Sequence, residues 1–206
     1  MAGSPRVGVI ALQGDVREHE RVLQGLGAET VRVRRAEELG RVDGLVIPGG
    51  ESTVIDKLSR QFGLQQPIRE AISTGLPVYG TCAGLILLAD RIIDGTEGQQ
   101  SFGGLDIAVR RNAFGRQTES FEAELTVPAL GEEPVHATFI RAPIVERAGA
   151  DVEVLAALSD RTIVAVRQGN LLGTSFHPEV GGDARFHEYF LRHVLARVRS
   201  ATASAR

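Results

Sequence analysis

The stretch PVYGTCAGLILLAD, residues 77–90, joins two apolar runs through a Gly-Thr-Cys-Ala-Gly turn that contains the chain's only cysteine, Cys82. The first run (LPVYG, 76–80) has the length of a buried strand, and the second (AGLILLADRI, 83–92) predicts a helix. A strand that turns sharply into a helix around a G-x-C-x-G pattern holds its cysteine at the helix N-terminus. The stretch therefore indicates either a nucleophile elbow or a small buried cysteine in an ordinary turn.

The sequence before this stretch repeats the order of strand and helix. The runs VGVIAL (7–12), TVRVR (30–34) and GLVIPGG (44–50) are strand candidates, and helical patterns run from about 51 to 60 and from about 66 to 73. Strands that are apolar on both faces and alternate with helices are typical of a parallel sheet covered on both sides. We predict an α/β fold: a single doubly wound domain with a mainly parallel central sheet and flanking helices.

The second half of the chain has a different pattern. After Gly95, short strand candidates follow one another with no convincing helix between them, and we expect them to add antiparallel strands to the sheet. They are LDIAVRR (105–111), FEAELTV (121–127), VHATFIRA (135–142), VEVLAAL (152–158), TIVAVRQ (162–168) and NLLGTSF (170–176), the last two joined around Gln168-Gly169. A final helix is predicted over 183–198, which sets the domain at 1–198 and leaves 199–206 as a frayed tail.

Length, charge and cysteine usage exclude several classes of protein. The 206 residues, 43% of them hydrophobic, are enough for one sizeable core. A formal net charge of −3 offers no basic surface for nucleic acid. One cysteine cannot form an internal disulfide, the opening residues do not predict a secretory signal, and no apolar run is long enough to span a membrane. We expect a soluble cytoplasmic protein without a metal site, because the cysteine and histidine spacing does not resemble a zinc site.

A nucleophilic cysteine requires a base, and the base requires a group that orients it. His177 ends a strand candidate that reaches the same sheet edge as Cys82, and it begins the sequence His-Pro-Glu. Glu179 is close enough in sequence to accept a hydrogen bond from that imidazole. Alone, such a motif is more often an ordinary strand-end turn, but the upstream elbow favours a catalytic pair. The other histidines are expected to be surface or packing residues; they are His19, His136, His187 and His193.

These two motifs together resemble a known family. GTCAG (80–84) with SFHPE (175–179) is similar to the class I, triad-type glutamine amidotransferases. Further runs resemble the branch of that family that supplies ammonia for pyridoxal 5′-phosphate (vitamin B6) synthesis. They are GVIALQGDVREHE (8–20), DGLVIPGGEST (43–53), RNAFGRQTESFEA (111–123), FIRAP (139–143) and HPEVGGDARFHEYF (177–190), and the likeness covers about residues 7–198.

The resemblance implies a role for each matching residue. Cys82 would be the nucleophile, His177 the general base and then acid, and Glu179 the group that orients it. The backbone N–H groups of Gly50 and Ala83 would form an oxyanion hole. Contacts to the substrate, L-glutamine, would come from Gly49, Gly50, Glu51, Ser52, Arg111, Ile140 and Arg141. The implied reaction yields L-glutamate and ammonia through a γ-glutamyl thioester, and it needs no cofactor.

The resemblance also implies a partner. Free ammonia is protonated in neutral water, so a glutaminase of this kind passes it to a separate synthase subunit, a (β/α)₈ barrel, within a hetero-oligomer. We expect QGDVREHE (13–20) and RNAFGRQ (111–117), with Arg17 and Arg116, to contact that subunit and to control activity. Two alternatives remain at this point. The chain could serve another acceptor, as in histidine, anthranilate or purine synthesis, or it could be a catalytically silent scaffold.

Overall fold

Strands and helices alternate along the described part of the computed structural model, which comprises residues 4–111 and 120–204. The strands are β1 (Arg6–Ile10), β2 (Glu29–Val33), β3 (Gly44–Ile47), β4 (Val78–Thr81), β5 (Ala89–Ile93), β6 (Leu105–Arg110), β7 (Ser120–Leu125), β8 (Val135–Ile140), β9 (Ile144–Ala148), β10 (Glu153–Ala157), β11 (Ile163–Gln168) and β12 (Leu171–Thr174). The helices are α1 (Val16–Gly25), α2 (Ala36–Leu39), α3 (Ser52–Gln61), α4 (Gln65–Ser73), α5 (Ala83–Leu88), α6 (Pro178–Gly181) and α7 (Arg185–Ser204).

The central sheet has parallel strands on one side and mainly antiparallel strands on the other. Its order is β2-β1-β3-β4-β12-β11-β9-β6-β5, and β10 pairs with β11. The pairs from β2 through β12 are parallel, whereas β12–β11, β11–β9 and β9–β6 are antiparallel. The α/β fold with a mainly parallel central sheet, flanking helices and antiparallel additions is therefore confirmed.

Successive residues of the parallel strands enter separate cores on the two faces of the sheet. In β3, Leu45 and Ile47 join one cluster, whereas Val46 joins the other. In β4, Val78 and Tyr79 divide in the same way. Because both faces are covered, these strands are apolar throughout and show no alternation with polar residues.

The structure differs from the sequence prediction after Leu88. The predicted helix over 83–92 ends there, and the following residues form β5, which pairs in parallel with β6. The N–H of Phe102 donates to the carbonyl of Leu87, so a loop satisfies an acceptor at the helix end. Backbone pairing along β6 outweighs the helix propensity of the leucine-rich run, because propensity is worth less than about 1 kcal/mol per residue.

Two further predictions in the second half need correction. β7 and β8 pair with each other as a separate two-stranded sheet and do not extend the central one. Their apolar face, which includes Leu125 and Phe139, packs into the core beside Phe176 and Phe186, so the pair is buried without joining the central sheet. The last helix also continues to Ser204, beyond the predicted end at 198.

The topology brings four loops to one edge of the sheet. β1, β3, β4 and β12 are parallel, so the segments that follow them emerge at the same carboxyl edge, where open α/β sheets place their ligands. These segments begin with Ala11, Pro48, Cys82 and Ser175. Within the described ranges, no helix has the length and apolar character that crossing a membrane requires.

Candidate active site

Cys82 lies at the tip of a sharp turn between β4 and α5. Its backbone has φ 48° and ψ −100°, a conformation that side-chain-bearing residues rarely adopt, and its N–H donates to the carbonyl of Thr174 over 2.8 Å. Cys82 is 7% exposed and precedes the first residue of α5. Strain at a single residue of a strand-to-helix turn is the geometry of a nucleophile elbow, one of the two possibilities that the sequence indicated.

The flanking glycines permit this turn because other backbone occupies the space of a side chain. A Cβ on Gly80 would lie 2.5 Å from the carbonyl oxygen of Gly84, and a Cβ on Gly84 would collide with the carbonyl of Ile47. Both glycines thus let α5 pack directly against the parallel strands.

His177 and Glu179 follow β12 and face the same edge. The Nδ1–H of His177 donates to Glu179 Oε1 over 2.8 Å, and both side chains are almost fully buried. The backbone N–H of His177 donates to the carbonyl of Thr138 over 3.1 Å, which anchors the turn to β8. The carboxylate therefore fixes the tautomer that leaves Nε2 available for chemistry.

The proton on His177 is stabilised by its neighbours. Burial opposes the charge, but hydrogen bonds with Asp15, Cys82 and Glu179 outweigh burial and raise the pKa of His177 to about 12. Burial also raises the pKa of Glu179, although the hydrogen bond and the charge of His177 hold it partly down. The hydrogen bond between His177 and Cys82 places the imidazole beside the sulfur atom that the sequence predicts to be the nucleophile.

Asp15 is a second carboxylate at His177 that the sequence reasoning did not identify. Its Oδ2 lies 3.4 Å from His177 Nδ1, and its side chain is 40% exposed at the pocket. It follows β1 and precedes α1, so it reaches the site from a strand far away in sequence. The only available signal was its position at the end of a parallel strand, which it shares with Cys82 and His177.

The glycine loop after β3 lies next to His177. A side chain at Gly49 would collide with the imidazole of His177, and Gly50 has φ +147°, a conformation that favours glycine. The carbonyl of Gly49 accepts from the N–H of Asp15 over 3.2 Å. Because a trans peptide directs its two polar groups in opposite directions, the N–H of Gly50 points away from the Asp15 backbone. Gln13 Oε1 accepts from the N–H of Glu51 over 2.7 Å and holds the loop from its other side.

An open pocket of about 220 Å³ lies over the cysteine. Most of the residues predicted to bind substrate line this pocket: Gly50, Glu51, Ser52, Arg111, Ile140 and Arg141. Cys82 and His177 also line it. Gly49 lies beneath His177 and does not line the pocket, and Ala83 is the first residue of α5.

Arg111 forms one wall of this pocket and is largely buried. Its guanidinium donates to Glu51 Oε1 and to Gln99 Oε1, each over 2.9 Å. Gln99 in turn donates to the hydroxyl of Ser52 over 3.0 Å. Gln99 is therefore a supporting residue that the sequence reasoning did not identify. Of the run RNAFGRQ, the residues after Arg111, with Arg116, lie outside the described residues.

One group of metal-ligating side chains occurs among the described residues, and it lies in this site. Donor atoms of Asp15, His177 and Glu179 all fall within 4.8 Å of one another. However, the Nδ1–H of His177 already donates to Glu179, so a cation there would have to displace that proton.

Two buried histidines lie behind Glu179, although their sequence context predicted only packing or surface roles for them. Nε2 of His19, on α1, lies 3.5 Å from Glu179 Oε1 and 3.1 Å from the hydroxyl oxygen of Thr81. Its Nδ1 lies 2.8 Å from Nε2 of His187, on α7. Neither ring is exposed to solvent. The two residues are 168 positions apart, so no local pattern could have indicated their pairing.

The chain is similar to known proteins along most of its length. A model of the SNO glutamine amidotransferase family matches residues 9–196. The pyridoxal 5′-phosphate synthase subunit PdxT of Leifsonia xyli subsp. xyli is 68% identical over 96% of this chain and 100% of its own length. The PdxT of Clavibacter michiganensis subsp. michiganensis is 67% identical, with 91% and 90% covered. A crystal structure of a glutamine amidotransferase is 50% identical over 91% of this chain and 98% of its own, with a TM-score of 0.85.

Proposed function

This chain belongs to the SNO glutamine amidotransferase family, and from that premise we propose that it is the glutaminase subunit of a pyridoxal 5′-phosphate synthase. It hydrolyses L-glutamine to L-glutamate and ammonia and delivers the ammonia to a separate synthase subunit. The domain that does so spans residues 1–198. We propose a cytoplasmic location, as the sequence analysis expected.

The observation that carries this proposal is the arrangement at one sheet edge. A strained cysteine at a helix N-terminus and a buried His-Glu pair border the same pocket. These are the three groups that thiol-dependent acyl transfer requires: a nucleophile, a base and a group that orients the base.

The first half of the reaction forms an acyl-enzyme. The Cys82 thiolate attacks the side-chain amide carbon of glutamine, and backbone N–H groups of Gly50 and Ala83 stabilise the oxyanion. Each such donor contributes about 3 to 4 kcal/mol in related enzymes. His177 then gives its proton to the departing nitrogen, so that ammonia leaves and a γ-glutamyl thioester remains on Cys82.

The second half of the reaction restores the cysteine. Neutral His177 takes a proton from a water molecule, and the resulting hydroxide attacks the thioester carbon. Glutamate leaves and the Cys82 thiolate is regenerated beside a protonated His177. Glu179 keeps the imidazole in one orientation throughout, because Nδ1 remains bonded to its carboxylate.

Glutamine recognition uses the charged wall of the pocket. A free amino acid carries a carboxylate and an ammonium group, and these require a cationic and an anionic partner. We propose that Arg111 and Arg141 attract the carboxylate and that Glu51 attracts the ammonium. Backbone groups of Gly50 and Ile140 and the hydroxyl of Ser52 would support them, and Gly49 would act only by holding the loop. The Arg111–Glu51 ion pair supports this division, because it holds both charges at the pocket before substrate arrives.

The partner is a synthase subunit with a (β/α)₈ barrel, which combines ammonia with a pentose phosphate and a triose phosphate. Arg17 is exposed on α1, two residues after Asp15, and is our candidate for contact with the synthase subunit, together with Arg116. Substituting either arginine should weaken the stimulation of glutaminase activity by the synthase subunit.

The test is glutamate release from glutamine by the purified chain, alone and with the synthase subunit. We expect stimulation by the synthase subunit and loss of glutamate release in Cys82→Ala. A control variant, Ser73→Ala at the exposed end of α4, should behave like the wild type. Equal turnover with and without the synthase would contradict the proposed partner control. Undiminished turnover in Cys82→Ala would contradict the mechanism. If no sample released glutamate, the result would favour a catalytically silent scaffold.

A further inference from the structure

A buried row of nitrogen atoms leads from α7 to the carboxylate of Glu179. Nε2 of His187 contacts Nδ1 of His19 over 2.8 Å, and Nε2 of His19 lies 3.5 Å from Glu179 Oε1. The same Nε2 is 3.1 Å from the hydroxyl oxygen of Thr81, the residue before the cysteine. These side chains are shielded from solvent, so the polar atoms depend on one another for hydrogen bonds.

Both histidines are neutral in this environment. Burial lowers the pKa of His19, and the charges of His187 and His177 lower it further. Burial lowers the pKa of His187 to about 4, against a smaller opposing effect of Asp183. Each ring therefore carries one proton at neutral pH, and the contact between them requires that one ring donates and the other accepts.

Two proton arrangements satisfy the contact between the rings. In the first, Nδ1–H of His19 donates to Nε2 of His187. The proton of His187 then lies on its own Nδ1, which has no hydrogen-bond partner among the described residues. In that arrangement the lone pair of His19 Nε2 would also face the Glu179 carboxylate. If instead Nε2–H of His187 donates to His19, the proton of His19 lies on Nε2, where it donates to the hydroxyl oxygen of Thr81 over 3.1 Å and faces Glu179 Oε1 at 3.5 Å. The second arrangement buries no unsatisfied N–H and is favoured, because such a group costs about 1 to 3 kcal/mol.

Among the described residues, few other groups donate a hydrogen bond to the carboxylate of Glu179. Oε1 of Glu179 accepts from His177, whereas Oε2 has no hydrogen-bond partner in the described part of the chain. An N–H directed at Oε1 from 3.5 Å favours the ionised carboxylate where burial disfavours it. Because His19 is neutral, it provides this contact without repelling a protonated His177.

We propose that His19 is a positioning residue for the glutaminase reaction, which donates from Nε2 to Glu179 while His187 fixes its tautomer. This inference rests on the proposed function, because Glu179 matters only if His177 is the base. His19 touches neither substrate nor sulfur in this role. It acts by holding the carboxylate ionised and aligned while His177 gives up and regains its proton.

The groups that surround this row come from several elements. From α1 comes His19 and from the residue before that helix Asp15. From the α6 turn come His177 and Glu179, and from β4 Tyr79 and Thr81. From α7 and the segment before it come His187 and Asp183. A change in the pH profile of a His19 variant therefore has to be compared with the titration of all these groups and not of Glu179 alone.

The test uses two isosteric variants in the complex with the synthase subunit. In His19→Gln, the side-chain amide nitrogen takes the place of Nε2 of histidine and keeps a donor towards Glu179. In His19→Asn, the amide nitrogen takes the place of Nδ1, so no donor faces Glu179. We expect His19→Asn to lower kcat about tenfold to a hundredfold with KM nearly unchanged, because a hydrogen bond to a charged group is lost. His19→Gln should restore most of kcat, and the exposed control His136→Asn should have no effect.

Two further measurements distinguish positioning from a purely structural role. Loss of the donor raises the pKa of Glu179, so the acid limb of kcat/KM in His19→Asn should move to higher pH. In the wild-type chain labelled with ¹⁵N-histidine, imidazole NMR spectra should show His19 protonated at Nε2. Thermal unfolding of each variant verifies that it is folded.

The outcomes separate this inference from the proposed function. Equal kcat in His19→Asn and His19→Gln with an unmoved acid limb, or protonation of His19 at Nδ1, would overturn the role of His19. Such a result would leave synthase-stimulated glutamate release by the wild type intact. If the wild type itself released no glutamate, the proposed function would fail, and the tautomer measurement would still decide the direction of the hydrogen bond.

Discussion

The α-carbon of Gly84 faces the carbonyl oxygen of Ile47 so closely that a side chain has no space between α5 and β3. This contact joins the helix that follows the candidate nucleophile to the strand that precedes the glycine loop. The two halves of the candidate oxyanion hole, at Ala83 and Gly50, therefore depend on a single close approach of backbone to backbone.

Replacing Gly84 by alanine should force α5 away from β3, because the obstacle is backbone and cannot rotate aside. We expect the free energy of unfolding to fall by about 3 kcal/mol or more, since overpacking a core costs about 1 to 3 kcal/mol even where side chains can adjust. Urea denaturation measures the change. Gly25→Ala is the matched control, because a Cβ at Gly25 meets nothing within 4 Å, and it should be neutral or slightly stabilising. Equal stability of the two variants would contradict the packing account.

The sequence was sufficient for the features that depend on short-range order. Apolar runs followed by glycines predicted β1, β3 and β4, and their parallel pairing follows from the helices between them. The elbow at Cys82 and the His177–Glu179 pair are local motifs, so their positions at strand ends could be predicted without a structure. Which residues bind glutamine stays a prediction, although most of the predicted residues line the pocket.

Features set by distant partners could not be predicted in this way. The strand β5 forms because β6 offers it a paired edge, which the helical pattern of the run 83–92 does not reveal. Asp15 reaches His177 only because β1 and β12 end at the same edge of the sheet. The pairing of His19 with His187 depends on α1 and α7 packing together. Periodicity describes each helix separately and carries no information on such contacts.

Arg111 offers a test of the substrate pocket. Its guanidinium fork binds Glu51 and Gln99 at once, which the single ammonium of lysine cannot reproduce. We expect Arg111→Lys to raise KM for glutamine about tenfold, with a smaller effect on kcat, in steady-state assays with the synthase subunit. The neighbouring Arg110 is the matched control, since it pairs with Asp94 and Glu146 on the surface. An unchanged KM in Arg111→Lys, or an equal rise in Arg110→Lys, would contradict its role in binding.

Asp15 should influence the titration of His177. Its carboxylate favours the protonated imidazole, so Asp15→Asn should lower the pKa of His177 from its raised value. Because protonated His177 is the acid of the proposed mechanism, the alkaline limb of kcat/KM should move to lower pH. Glu37→Gln, an exposed acid on α2, is the control for a general change of charge. Identical alkaline limbs in Asp15→Asn and the wild type would show that Asp15 is not coupled to the base.

His187 should make the fold sensitive to acid. Its pKa in the folded chain is lowered to about 4, whereas an unfolded histidine titrates near 6.5. The unfolded chain therefore binds this proton first as pH falls. Its contribution to stability is complete above about pH 6.5 and is lost as pH falls through about 4, and it amounts to about 3 kcal/mol.

The measurement for His187 is the free energy of urea unfolding at a series of pH values between these limits. His187→Gln and His187→Phe both remove the titrating ring but differ in size and polarity, so their stabilities at pH 7 should differ. Both should nevertheless lose less stability than the wild type on acidification, because neither can take up the proton when it unfolds. The difference between wild type and variants in the slope of unfolding free energy against pH isolates the contribution of His187. Glu179 acts in the opposite direction, because its pKa is raised and its protonation favours the folded chain as pH falls. Parallel curves for all three chains would mean that His187 takes up its proton equally in the folded and the unfolded state.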